Sequence, residues 1–244
     1  MFFLAAAAAA ILVGLSKGGL GSVAMIAVPV LALTISPVKA AALLLPIFVV
    51  SDWFGLWLYR HHYDKRNLAI LLPGAAIGIV VGWATAAEVS DRLVGLVVGV
   101  IGVSFCANLW LRRHKPVAPR PADIRRGLFW GALTGFTSFV SHSGAPPYQV
   151  YVLPQRLDKA VYAGTTTITF AAINAVKLIP YWALGQLSLA NLRTSLFLFP
   201  LAIAATFAGA RLVRIIPERA FFNFVNVTLF VVSLKLIADA VVTT

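Results

Sequence analysis

Two short stretches decide how this chain is read: Gly14-Leu15-Ser16-Lys17-Gly18-Gly19-Leu20-Gly21 and Ser141-His142-Ser143-Gly144-Ala145-Pro146-Pro147. Each interrupts an otherwise apolar run, from Phe2 to about Thr34 in the first case and from Gly127 to about Leu153 in the second. The arms on either side of the breaks are too short to cross a hydrocarbon core of about 30 Å alone. Each run is therefore either one broken span or a hairpin that enters the membrane and returns to the same side.

Working outward, three apolar stretches follow each break, at about 40 to 59, 67 to 87 and 93 to 111, then 159 to 182, 193 to 212 and 220 to 241. At about 1.5 Å rise per residue, helices of these lengths reach across a bilayer. Sixty per cent of the 244 residues are apolar and 11% charged, too little polar surface to clothe a soluble domain. The pattern is all-α and polytopic.

The two halves also match each other. Pro73, Gly82, Asp91 and Arg92 correspond to Pro200, Gly209, Glu218 and Arg219 at one offset, 127 residues. Gly19 and Pro29 correspond to Gly144 and Pro154 at 125, and Lys39-Ala40 to Lys159-Ala160 at 120. The expected organisation is a first membrane repeat over 1–111, a linker over 112–126, and a second repeat over 127–244. The linker carries six basic residues, one acid and three prolines, the composition of a solvated connection. Met1 to Val13 resembles a signal-peptide core without its basic flank, and its removal would destroy half of a repeat, so it is expected to stay.

Charge decides between broken spans and hairpins. With single spans, the Lys and Arg residues outside the apolar segments divide ten to seven across the membrane. With hairpins, the six linker residues join Arg60, Lys65, Arg66, Arg156, Lys159, Arg211, Arg214 and Arg219 on one side, fourteen against Lys39, Arg92 and Arg193. That asymmetry obeys the positive-inside bias. It favours re-entrant hairpins, a cytoplasmic linker, both termini on the periplasmic or extracellular side, and two inverted-topology repeats of one broken-helix hairpin plus three transmembrane helices, a transporter architecture. The net charge of +12 is thereby read as topology, and nucleic acid is not an expected partner. The bland alternative is that the glycines only let helices pack closely.

The 125-residue offset also pairs Lys17 with His142, a basic side chain at each hairpin tip. Inversion would bring both toward mid-bilayer. Residues Gly18 to Gly21, with Gly18, Gly19 and Gly21 the glycines, and Ser143 to Ala145, with Gly144 between them, would open the returning half-helices and present unpaired N–H groups, a setting for a small anion. Against this stand a snorkelling Lys17 and a core histidine. Ionisable residues inside spans are functional candidates by default: Asp52 as a coupling group or structural ion pair, and Asn174 with Lys177 at i, i+3 on one face. Thr165, Thr166, Thr167 and Thr169 are expected to bond back to their own helix, and Lys235 with Asp239 to pair near the C-terminus. Single Cys106 rules out an internal disulfide. Ser138, Ser141 and His142 hint at a nucleophile and base, but no companion acid or second histidine stands at helical spacing from His142. No catalytic residue, metal or cofactor is expected.

At these residues the chain resembles the TauE/SafE family of sulfite-exporter-like membrane transporters over nearly its whole length. The matching features are Leu44-Leu45-Pro46 through Asp52, Gly55 and Tyr59-Arg60; Asn67 to Gly74; and Ser141 to Pro147, Tyr151 to Arg156, Gly164, Thr165, Asn174, Lys177 and Tyr181. One branch of the family often shows Ala-His-Ala-Gly-Gly-Pro-Pro where this chain has Ser141, Ser143 and Ala145, and Lys17 and Leu20 depart from a commoner Gly-Gly-Gly form. The resemblance implies movement of sulfite, sulfonates or related oxyanions across a bacterial inner membrane, coupled to an ion or proton. The expected partners are the lipid bilayer and a small anionic substrate, with a homo-oligomer compatible with the sequence. An anion channel, a non-transporting membrane scaffold and an intramembrane enzyme are the alternatives.

Overall fold

The computed structural model describes residues 1–85, 88–111, 118–185 and 189–242, and for residues 37, 38, 91, 189 and 190 the backbone alone. The expected linker residues 112–117 and the last two residues of the span expected over 67–87 lie outside the described residues. Every regular element among those described is helical: α1 (Phe2–Lys17), α2 (Ala24–Ala32), α3 (Pro37–Tyr59), α4 (Lys65–Ala84), α5 (Asp91–Leu111), α6 (Ile124–Ser141), α7 (Ala145–Val152), α8 (Lys159–Ala183), α9 (Leu189–Ile215) and α10 (Glu218–Val242). The expected spans thus stand close to their expected bounds.

Local chemistry sets the ends. Ser36, extended at φ −61° and ψ 147°, precedes Pro37 at the first turn of α3, where a missing N–H costs nothing. Asp123 caps α6, its Oδ1 accepting from the Arg126 N–H at 2.8 Å. That cap starts the helix at Ile124, three residues inside the stretch expected as linker. Pro46 interrupts the α3 ladder, and nearby the Ser195 hydroxyl donates to the Leu43 carbonyl at 2.8 Å, the kind of partner a proline-broken membrane helix needs.

Five helices, α3, α4, α5, α9 and α10, are long and apolar enough to cross a membrane. α8 has the length, at 25 residues, but carries Thr165, Thr166, Thr167, Thr169, Asn174 and Lys177, all buried. Its polar residues turn inward and are not offered to lipid.

The chain forms two compact units, one of Met1–Asp64 with Lys159–Glu218 and one of Lys65–Asp158 with Arg219–Thr244. Each takes elements from both sequence halves. In the first unit α1 and α2 fold back on each other, and Ala6 and Ala9 share a buried cluster with Ala27 and Leu31 of α2 and Leu44 and Ile47 of α3. α9 packs closely along α1: a Cβ on Gly14 or Gly18 would overlap the carbonyls of Ala202 or Thr206. In the second unit α6 and α7 fold back likewise, and α4, the counterpart of α9 at the 127-residue offset, packs along α6. There a Cβ on Gly78 would overlap the Ala132 carbonyl, and one on Gly135 the Ala75 carbonyl. Small residues substitute for hydrophobic driving force where helices meet in lipid.

Candidate functional site

The first break places a charge inside the protein. α1 ends at Lys17, and the chain turns through Gly19, held at φ +110°, a region in which a Cβ is strained. The N–H of Gly18 donates to the Gly14 carbonyl at 2.9 Å, that of Gly19 to Ser16 at 3.1 Å and that of Leu20 to Leu15 at 3.3 Å. The expectation of unpaired N–H groups at Gly18 and Gly19 is corrected here: these donors close the carbonyl end of α1. A lysine suits that end, because the helix dipole leaves it negative.

Lys17 is 3% exposed, so it does not snorkel. Its Nζ lies 2.6 Å from Asp52 Oδ1 and 5.2 Å from the centre of the Phe48 ring. The second carboxylate oxygen, Oδ2, accepts from Asn174 Nδ2 at 2.8 Å. Phe48 and Asp52 are one turn apart on α3, so a single helix face supplies both the carboxylate and the aromatic wall. One turn on again is Gly55, where a Cβ would stand 2.7 Å from Thr167 Cγ2 and 2.9 Å from the Lys17 carbonyl. Only a glycine lets α3 approach the end of α1 and the middle of α8 together.

α8 completes the group. The Thr165, Thr166 and Thr169 hydroxyls donate to the carbonyls of Val161, Tyr162 and Thr165, each at 2.7 Å, as expected. Thr167 departs from that pattern and donates to the Lys17 carbonyl at 3.4 Å. Lys177, one turn beyond Asn174, is fully buried, with its Nζ 5.7 Å from the Tyr181 ring, and it lies in electrostatic range of Asp52 and Lys17. Lys17 is paired with that carboxylate, and Lys177 stands buried on the same helix as Asn174, in a setting where charge is costly unless paired. The Tyr59 hydroxyl, which spacing gave no reason to single out, donates to the Gly18 carbonyl at 2.6 Å.

His142, Ser143 and Gly144 form the break of the second unit. His142 caps α6 in the left-handed conformation, φ 53° and ψ 23°, and is half-buried. The Ser143 N–H, also expected to be unpaired, instead donates to the Thr137 carbonyl at 3.1 Å, and its hydroxyl donates to the Ser141 carbonyl at 3.1 Å. Pro146 and Pro147 open α7. In the same unit Asn67 and Gln155 exchange a reciprocal amide pair at 2.8 and 3.0 Å, both buried, which sequence reasoning did not find because the partners are 88 residues apart.

Long apolar helices, two folded-back broken segments and a buried ionic group define a multi-pass membrane protein. The chain belongs to the Sulfite exporter TauE/SafE family, whose model matches residues 6–236, and by family it is a sulfite-exporter-like membrane transporter. No curated protein and no solved structure matches it.

Proposed function

We propose that the chain moves a small sulfur-containing oxyanion, sulfite or a sulfonate, across the inner membrane by alternating access between two inverted repeats, with a cytoplasmic linker. The observation that carries this reading is the Lys17–Asp52–Asn174 group, with Lys177 buried on the same helix as Asn174: among the described residues of the first unit two buried lysines accompany one buried carboxylate. Cargo is held by Lys17, Lys177 and the Asn174 amide; Gly18, Gly19 and Gly21 let Thr206, Tyr59 and Thr166 pack against the turn that carries Lys17. Asp52 is the resident counter-anion. Two negative charges at about 4 Å repel by about 4 kcal/mol at an effective dielectric of 20, so cargo reaches Lys17 only when the carboxylate moves aside or takes up a proton. Protonation of Asp52 couples one proton to each anion. His142, Ser143 and Gly144, the matching break in the second unit, form a second anion-contacting element.

The test is anion uptake into proteoliposomes under an imposed proton gradient. Lys17→Ala and His142→Ala each lower uptake at least about tenfold, the scale of losing one charge-assisted hydrogen bond, while the protein still inserts. Asp52→Asn retains anion exchange and loses the response to the gradient. Wild-type uptake in the Lys17→Ala/His142→Ala double variant overturns the assignment. Thermal stabilisation of the purified protein by carboxylates alone, among sulfite, sulfate, thiosulfate, sulfoacetate and carboxylates, removes sulfur chemistry from it.

A further inference from the structure

We infer that the first unit holds a second anion site, a basic vestibule whose inner wall is the side chain of Tyr59, through which cargo reaches the Lys17 end of the hairpin. Its role as an entry rests on the proposed transport of an anion; its chemistry does not.

A cavity of about 250 Å³ opens where α3 ends, α8 begins and α9 ends. Lys159, Arg214 and His62 line it together with Tyr59 and Val213, and no carboxylate is among its described lining residues. Lys159 is held in place: its Nζ donates to the carbonyls of Arg214 at 3.1 Å and Ile216 at 2.6 Å, closing the carbonyl end of α9. Arg214 is exposed, and its guanidinium offers the planar fork that suits oxyanions. The volume accommodates such an anion with part of its water.

The inner wall is one side chain thick. Tyr59 and Val213, 6% and 2% exposed, border the cavity on one side. On the other they cover the hairpin turn: a Cβ on Gly19 would overlap Tyr59 Oη and stand 3.0 Å from both Val213 Cγ2 and Ala163 Cβ. The Tyr59 hydroxyl is tied to the Gly18 carbonyl, and the next residue back is Lys17. α8 supplies a ruler across this wall, since Ala160 lines the cavity and Ala163, one turn on, is fully buried beside Gly19. By the charge count, the vestibule opens on the side of the linker.

The test reads thiol modification, which needs no flux. In a Cys106→Ser background, Ala160→Cys and Ala163→Cys are reacted with methanethiosulfonates carrying either a sulfonate or a trimethylammonium group. Relative to free cysteine, Ala160→Cys favours the sulfonate reagent at least about fivefold, the Coulomb factor for one charge at about 4 Å in water. Arg214→Gln lowers that preference, and sulfate slows the reaction. Ala163→Cys is unreactive with Tyr59 present or with Tyr59→Phe, and Tyr59→Ala exposes it on the order of tenfold, thiol reactivity following access. No sulfonate preference at position 160, or a reactive position 163 behind an intact Tyr59, overturns the proposal. A preference in neutral detergent that vanishes in phosphatidylglycerol vesicles assigns the pocket to a lipid phosphate and overturns it as an entry. If uptake fails while these results hold, the transport reading falls and the anion site stands.

Discussion

The two breaks occupy matching places in the sequence and carry different burdens. At the first, the strained backbone position is a glycine, Gly19, and the basic residue two positions before it, Lys17, is buried against Asp52 and Phe48. At the second, the basic residue His142 itself adopts the left-handed conformation, and the neighbouring Ser143 is satisfied by local carbonyls. A helix can be broken in lipid either by importing a counter-charge from another helix or by meeting its needs within a few residues. The first solution depends on tertiary structure, and at the second the amide and hydroxyl of Ser143 are met within a few residues.

That contrast is open to direct attack, most forcefully through Asp52→Ala. It strands Lys17 in a buried site and costs about 3–5 kcal/mol, read as a lowered unfolding temperature in detergent, whereas Lys17→Met/Asp52→Leu recovers most of the loss while uptake stays absent. Smaller is Gly19→Ala, which places a Cβ at φ +110° against the Tyr59 hydroxyl and costs about 1–3 kcal/mol. Ser143→Ala removes one local hydrogen bond and costs about 1 kcal/mol by the same thermal measurement. A loss larger than that of Asp52→Ala on altering Ser143 would show that the second break is no more self-sufficient than the first.

Most of the helical pattern was legible because it rests on runs of apolar residues: α3, α5 and α10 stand within a few residues of where composition puts them. The threonines of α8 behave as short side chains near their own carbonyls do. What periodicity does not give is which helix meets which. Asp52 was a candidate as an ion-pair partner, but nothing in its spacing points 35 residues back to Lys17, and the same holds for Tyr59 and Gly18. One legible signal went unused: Gly74, Gly78 and Gly82 on α4 and Gly127, Gly131 and Gly135 on α6 recur every fourth residue, the signature of two helices in near-backbone contact. The N–H groups of Gly18 and Gly19 misled because a helix that ends in glycine uses the following amides to close itself before any ligand arrives.

α8 carries its hydroxyls, amide and ammonium on surfaces that the folded protein hides. During synthesis those surfaces are bare, and a segment bearing Lys177 and four threonines gains little from leaving the translocon for lipid by itself. Its insertion therefore leans on helices already in the bilayer, with α3 and the end of α1 as the template, and on α9 to hold it there. The polar centre thus governs the order in which the chain can be built.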